Sequence, residues 1–266
     1  MAWQEVFVLA GPKILKVEFF NVGQGDSVFI QTSQGHQILI DGGPDSSILE
    51  KIAKEMPFWD RKIDVIILTH PEKDHMTGIL EILQRYKADY FLWTGIEKQD
   101  AENKRLIELL KNSKKVLNVF SGEKIKAGGA EIDILYPFES LAGEKTESSV
   151  KNTSIVAKLI YGKDLFLFTG DISSKAETQL TNSAELVKAD VLKVAHHGSK
   201  YSSSEEFLEN VRPEYAVISV GKNTYGHPAP EVLQRLKKYD IKILRTDQNG
   251  DIKFISNGNG ISNFFH

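Results

Sequence analysis

The sequence predicts an α/β fold, and three observations carry that expectation. Apolar runs of strand length recur from Ile14 to Ile255. After the first three runs they are interleaved with stretches of helical periodicity, the pattern of helices packed on a sheet. Several runs, such as Ile63 to Leu68, are apolar almost throughout, as strands covered on both faces are.

The elements follow in order. Ile14 to Phe20, Ser27 to Gln31 and Gln37 to Asp41 read as strands separated by Gly-containing turns. A helix is predicted over Ser46 to Met56, closed by Pro57. The Ile63–Leu68 strand leads into a histidine-rich loop, then a helix over Gly78 to Tyr86, a buried strand over Tyr90 to Trp93 and an amphipathic helix over Ala101 to Asn112. The middle is β-like: Lys115 to Phe120, Lys124 to Lys126 and Glu131 to Tyr136. Residues 139–153 are polar and read as a loop. Ser154 to Ile160 and Asp164 to Thr169 form a hairpin around Gly162. Then helices over Lys175 to Thr181, Glu205 to Val211 and Pro230 to Lys238 alternate with strands over Val191 to Ala195, Tyr215 to Val220 and Lys242 to Arg245, and Ile252 to Ile255 closes the series.

The length of 266 residues corresponds to about 1.8 domains of average size. No Pro-, Gly- or Ser-rich linker and no fixed-period repeat divides it, so one unit over residues 1–266 is expected. Lys plus Arg number 33 and Asp plus Glu 36, a net charge of −3, which excludes a basic nucleic-acid coat but not a local basic groove. There is no cysteine, which excludes disulfides, thiolate metal sites and a Cys nucleophile. No apolar run approaches the roughly 18 residues of a membrane span. The first ten residues lack a basic start, so neither a signal peptide nor a span is expected and the cytoplasm is the expected location.

Five of the seven histidines fall in three short segments that follow buried strands: His70 and His75 with Asp74, then His196 and His197, then His227. Loops at the carboxyl ends of strands are where ligands gather in α/β proteins. Imidazole and carboxylate together suit Zn, Mn or Fe. Two further carboxylates end apolar strands, Asp171 after Leu167-Phe-Thr-Gly and Asp41 after Ile38-Leu-Ile. The first suits bridging two cations; the second reads as a support for a ligand rather than a ligand.

These residues resemble the metallo-β-lactamase superfamily and, more narrowly, the C-terminal domain of the DNA-uptake channel protein ComEC and its stand-alone relatives. The narrower resemblance rests on Asn21-Val-Gly-Gln-Gly-Asp26-Ser27, Ile40-Asp-Gly-Gly43, Thr69-His-Pro-Glu-Lys-Asp-His75, Phe168-Thr-Gly-Asp171, Leu192-Lys-Val-Ala-His-His-Gly-Ser199 and Tyr225-Gly-His-Pro228. It spans residues 14 to about 255 and implies a four-layer αββα sandwich with the metal site at one edge of its two sheets. The chain departs from the superfamily at Glu72, which replaces the second histidine of the first motif, and in having no histidine between His75 and His196. Asn21 stands where relatives often carry Asp.

The resemblance implies two divalent ions, Zn or Mn. It assigns Asp74, His75 and His227 to one and His70 with His196 or His197 to the other, with Asp171 bridging and Glu72 and Asp41 as further candidates. The expected split makes His197 the ligand and His196 the substrate-facing residue, with Asp74, His196 and Lys200 taking catalytic roles. Lys193, in a strand, reads as solvated, and Asn152 as an ordinary loop or cap residue. Two such ions lower the pKa of a water between them and neutralise charge on a phosphodiester. The expected activity is therefore a phosphodiesterase or nuclease, with single-stranded DNA as the substrate class that the resemblance suggests. The rival readings are a hydrolase of a small phosphoester or nucleotide, and a non-catalytic module in which a metal only organises a ligand loop. Trp59, Trp93 and Tyr201 are candidate base-stacking platforms. Oligomeric state is left open.

Overall fold

A computed structural model describes residues 14–111, 115–146, 151–182 and 187–265. The expectations placed on residues 1–10, Asn112 and His266 lie outside them.

The strands assemble into two large sheets. The first contains β1 (Leu15–Phe19), β2 (Val28–Gln31), β3 (Gln37–Ile40), β4 (Lys62–Ile67), β5 (Lys87–Trp93), β7 (Lys115–Asn118), β16 (Ile252–Ser256) and β17 (Ile261–Phe265), in the order β17-β16-β1-β2-β3-β4-β5-β7. The second contains β8 (Lys124–Ala127), β9 (Ala130–Tyr136), β11 (Val156–Tyr161), β12 (Asp164–Phe168), β13 (Val191–Lys193), β14 (Tyr215–Ile218) and β15 (Lys242–Arg245), in the order β15-β14-β13-β12-β11-β9-β8. Strands β3, β4, β5 and β7 run parallel, as do β12 to β15; the hairpin strands around them are antiparallel. The short β6 (Glu97–Lys98) and β10 (Lys145–Thr146) pair separately.

The alternation of side chains builds the layers. Val28 and Ile30 of β2, Ile38 and Ile40 of β3, and Phe166 and Phe168 of β12 meet in one apolar layer between the sheets. The opposite face of the first sheet, with Phe29, Leu39 and Ile66, packs on helices α1 (Ser47–Glu55), α2 (Lys73–Arg85) and α3 (Ala101–Leu110). The opposite face of the second, with Leu167, Leu192 and Ala216, packs on α4 (Ser174–Thr181), α5 (Glu205–Val211) and α6 (Pro230–Lys238). This is the four-layer αββα sandwich.

Several boundaries differ from the sequence expectation. Helix α2 begins at Lys73, not Gly78, so Asp74 and His75 stand in its first turn rather than in a loop. Strand β5 begins at Lys87 rather than Tyr90. A short helix, α7 (Thr246–Asn249), and the edge strand β17 were not anticipated. Part of the expected 139–153 loop is a strand, because Lys145 and Thr146 pair with Glu97 and Lys98.

Candidate metal centre

The donors converge at the carboxyl ends of the parallel strands. His70 follows β4, Asp171 follows β12, His196 and His197 follow β13, and His227 lies on the loop after β14. Asp74 and His75 come from the first turn of α2, which is locked to the turn after β3. The Gly42 N–H donates to the His75 carbonyl (2.7 Å) and the Gly78 N–H to the Gly43 carbonyl (3.0 Å). At Gly78 this contact is so close that a Cβ would lie 1.9 Å from the Gly42 carbonyl oxygen. His196 and His197 are both left-handed, each with φ 52°, a conformation that costs a non-glycine residue energy and marks functional turns. The strained pair sends its two rings apart, with an interplanar angle of 71°.

Asp171, buried, faces two sets of imidazoles with its two oxygens. Oδ1 lies 3.4 Å from His75 Nε2 and 3.7 Å from His197 Nε2. Oδ2 lies 3.7 Å from His196 Nε2 and 3.9 Å from His70 Nε2. Asp74 joins the first set, its Oδ2 3.2 Å from His197 Nε2. One donor atom from each of Asp74, His75, Asp171 and His197 lies within 4.8 Å of all the others. Donors at about 2.0–2.1 Å around a tetrahedral ion stand roughly 3.3 Å from one another, so this spacing suits a shared cation.

Neighbouring groups aim the rings. His75 Nδ1 lies 2.8 Å from Asp41 Oδ2, and Asp41 also accepts from the Thr69 amide and hydroxyl (2.8 and 2.7 Å). His197 Nδ1 sits 2.8 Å from the Ser219 carbonyl. Each Nδ1 thus has an acceptor, which leaves Nε2 directed at the cluster. The Nε2 atom of His70 is buried and makes no hydrogen bond, an arrangement that costs stability unless a cation takes up its lone pair.

Charge is concentrated accordingly. Burial opposes ionisation of Asp171, but His197 and His75 overcome it and hold its carboxyl well below the usual range. Burial likewise disfavours a charged His75, and Asp171, Asp41 and Asp26 reverse this, raising it well above the usual imidazole range. His197 rises to about 9 against the same burial, through Asp171 and Asp26. His70 is the exception: burial and the neighbouring His75 push it well down, so it presents a neutral ring. Without a cation, protons on His75 and His197 balance the carboxylates.

The structure groups the donors differently from the expected partition. His197, not His227, accompanies Asp74 and His75. The His227 ring packs 5.3 Å from that of His196, on the Asp171 Oδ2 side. Glu72, a candidate ligand, is the N-terminal cap residue of α2 and pairs with Lys98 (3.1 Å) at the rim of the cleft, outside the four-donor group. Asp41 supports His75 as described. Lys200, expected on the substrate, is exposed and rests over the Tyr201 ring at 5.2 Å, away from the cleft lining. Lys193 is not solvated: it is 2% exposed, donates to the Gly170 carbonyl (3.0 Å) and forms an ion pair with Asp26. Asp26 also approaches Asp41 and His75, so that ammonium already neutralises one member of this second group of donors. Asn152 accepts from the Ser173 amide at 3.1 Å, ahead of α4. Trp93 is buried, and neither it nor the exposed Trp59 and Tyr201 lines the cleft.

The cleft over the cluster has a volume of about 590 Å³ and is lined by Asp74, His196, His197, His227 and a rim of Lys73, Lys98 and Lys222 with Gln24, Asn223 and Tyr225. The sequence reading missed this rim and the Asp26–Lys193 pair. The only signal for the rim was the turn composition around Asn223 and Gly226, beside His227.

Residues 36–197, more than half of the chain, match the profile described as the beta-lactamase superfamily domain. The chain belongs to this superfamily. Within it, the chain is 32% identical over 258 residues to ComE operon protein 3 of Bacillus subtilis, covering 90% of this chain and 33% of that protein. It is 31% identical over 245 residues to Recombination protein 2 of Haemophilus influenzae, covering 90% of this chain and 28% of that protein. It thus spans a third or less of the length of these relatives. The crystal structure of the metallo-beta-lactamase fold protein YhfI from Bacillus subtilis superposes with a TM-score of 0.61 at 13% identity, over 92% of this chain and all of that one. Among the described residues no helix is long and apolar enough to cross a membrane.

Proposed function

We propose that the chain is a single metal-dependent hydrolase unit that cleaves phosphodiesters, with single-stranded DNA as the substrate class. The observation that carries this is the placement of Asp171, one oxygen facing Asp74, His75 and His197 and the other facing His70 and His196. Two divalent ions held by Asp171 with Asp74, His75 and His197 on one side and His70 on the other would supply Lewis-acid stabilisation of a phosphoryl centre and a hydroxide nucleophile at neutral pH. The chain's own residues do the rest. Asp41 and Ser219 fix the tautomers of His75 and His197. His196, partly exposed at the cleft floor, is placed to donate to a substrate oxygen. The lysine rim draws an anion towards a cluster whose carboxylates would otherwise repel it. The name of one relative, Recombination protein 2, favours a nucleic acid.

The loss of two superfamily imidazoles leaves a more oxygen-rich donor set, which shifts preference from Zn²⁺ towards Mn²⁺. The volume of the cleft, that of a nucleotide-sized pocket, supports the small-phosphoester reading as the second choice. The test is cleavage of end-labelled oligothymidylate in Mn²⁺, compared with p-nitrophenyl phosphate. Fragmentation by the native chain and none by an Asp171→Asn variant is expected. Equal traces for the two proteins, or turnover of the monoester alone, overturn the reading.

A further inference from the structure

We infer that Tyr225 is a base-stacking, specificity-determining residue, and that with Lys222 it holds a nucleotide next to the reacting phosphate; this rests on the phosphodiesterase reading above. Tyr225 is 75% exposed, yet it lines the cleft over the donor cluster. Its ring lies 5.9 Å from that of His227, tilted by 34°. The His227 ring lies 5.3 Å from His196, whose Nε2 is 3.7 Å from Asp171. A base resting on Tyr225 would therefore sit in the same cleft as the donors, within reach of them.

An exposed tyrosine in a loop ordinarily moves freely, and a mobile ring is a poor platform because ordering it costs entropy. Here one side chain holds the loop. Asn223 Oδ1 accepts from the amides of Tyr225 and His227, both at 3.1 Å, and Nδ2 donates to the carbonyls of Gly221 (2.9 Å) and His227 (2.8 Å). The base of the loop is clamped too. The Gly221 amide donates to Gln24 Oε1 at 3.3 Å, and a Cβ on Gly221 would lie 2.4 Å from the Gly23 carbonyl carbon. Lys73 and Lys98 spend their charge on Glu102 and Glu72. Lys222 makes no ion pair among the described residues, so it is the rim cation open to a backbone phosphate. An aromatic side chain on a held loop backbone, beside an unpaired cation, is what sequence-tolerant recognition of a single strand needs. The other exposed aromatics lack this setting. Phe58 and Trp59 pack on each other at 4.9 Å, outside the cleft, and Tyr201 lies under Lys200.

The experiment is fluorescence anisotropy with two labelled strands of equal length, oligothymidylate and an all-abasic strand with tetrahydrofuran in place of each nucleoside. Binding is measured in Ca²⁺, with strand integrity checked by gel. Stacking is typically worth roughly 5- to 100-fold per base in affinity. The native chain should prefer the thymidylate by that factor. Tyr225→Ala should abolish the preference, Tyr225→Phe should keep it, and Lys222→Ala should weaken both strands alike. A native chain that binds the two strands equally, or neither, overturns the inference, as does a Tyr225→Ala variant that retains the preference. Tyr225-dependent preference without any cleavage in Mn²⁺ removes the hydrolase reading and leaves this one. Cleavage without base preference does the reverse.

Discussion

Replacing Gly78 with alanine sets two physical effects against each other, and the structure decides the sign. The position is inside helix α2, where alanine is intrinsically favoured over glycine by about 1 kcal/mol. The added methyl, however, would lie 1.9 Å from the Gly42 carbonyl oxygen, 2.7 Å from its carbon and 2.9 Å from Ile48 Cγ2. Two of these atoms are backbone of the Asp41 turn, so relief requires the helix start and the turn to separate by more than 1 Å. That movement lengthens the Gly42–His75 and Gly78–Gly43 hydrogen bonds, each worth about 1 kcal/mol. Overpacking adds about 1–3 kcal/mol. The net expectation is a loss of about 2–4 kcal/mol, or roughly 5–15 °C in melting temperature for a chain of this size. Asp74 and His75 ride on the same turn, so metal affinity should fall with stability. Differential scanning calorimetry of the chelated protein measures the first, and calorimetric titration with Mn²⁺ the second. A Gly78→Ala variant that melts at or above the native temperature refutes the reasoning, because helix propensity would then have won.

Glu18 is buried beside Lys253 (3.1 Å), and burial, reinforced by Glu55, raises its pKa from 4.5 to about 7 despite the lysine. The folded state therefore holds this proton more tightly than the unfolded chain. Its contribution is fully present below pH 4.5 and is lost as pH rises to about 7, at most about 3 kcal/mol. Glu18→Gln should accordingly stabilise the protein at pH 8 and change little at pH 4.5; equal melting shifts at both pH values contradict this. His197→Ala should empty the four-donor group of metal. His196→Ala should retain that ion and lose turnover by roughly 10²–10³-fold; equal metal loss in the two variants contradicts the division between them. Metal binding should release protons from His75 and His197, so apparent affinity should climb as pH rises towards about 9, where His197 loses its proton unaided. Titration in buffers of different ionisation enthalpy measures the release, and a pH-independent affinity contradicts it.

The layers of the fold were legible because each strand's apolar parity is local information. Ile38 and Ile40 point one way and Leu39 the other whatever lies beyond them. The convergence of His70, Asp171, His196 and His197 was legible because they follow those strands closely. The start of α2 was not. The sequence reading starts the helix at Gly78, and only the approach of Gly42 from 36 residues upstream explains why glycine sits inside the helix. The grouping of the histidines was hidden for a related reason: the left-handed backbone at His196 and His197 sets where each ring goes, and spacing alone does not reveal it. Lys193 shares the parity of Val191, which faces the layer between the sheets, but a lone lysine there reads as solvated until Asp26 is seen beside it. The rim of Lys222, Asn223 and Tyr225 is loop chemistry with no periodicity to announce it.

Whether Asp171 and the surrounding histidines would hold two ions that together support phosphodiester hydrolysis is decided by measuring metal content and turnover on one sample. The chelated chain is titrated with Mn²⁺, bound manganese per chain is determined at each step, and hydrolysis of bis-p-nitrophenyl phosphate is followed in parallel. Two ions per chain are predicted, with turnover appearing as the second binds, and an Asp171→Asn variant should lose both the second ion and the activity. Full turnover with one ion bound, or turnover in the chelated chain equal to that of the loaded one, would show that hydrolysis does not depend on a pair of ions.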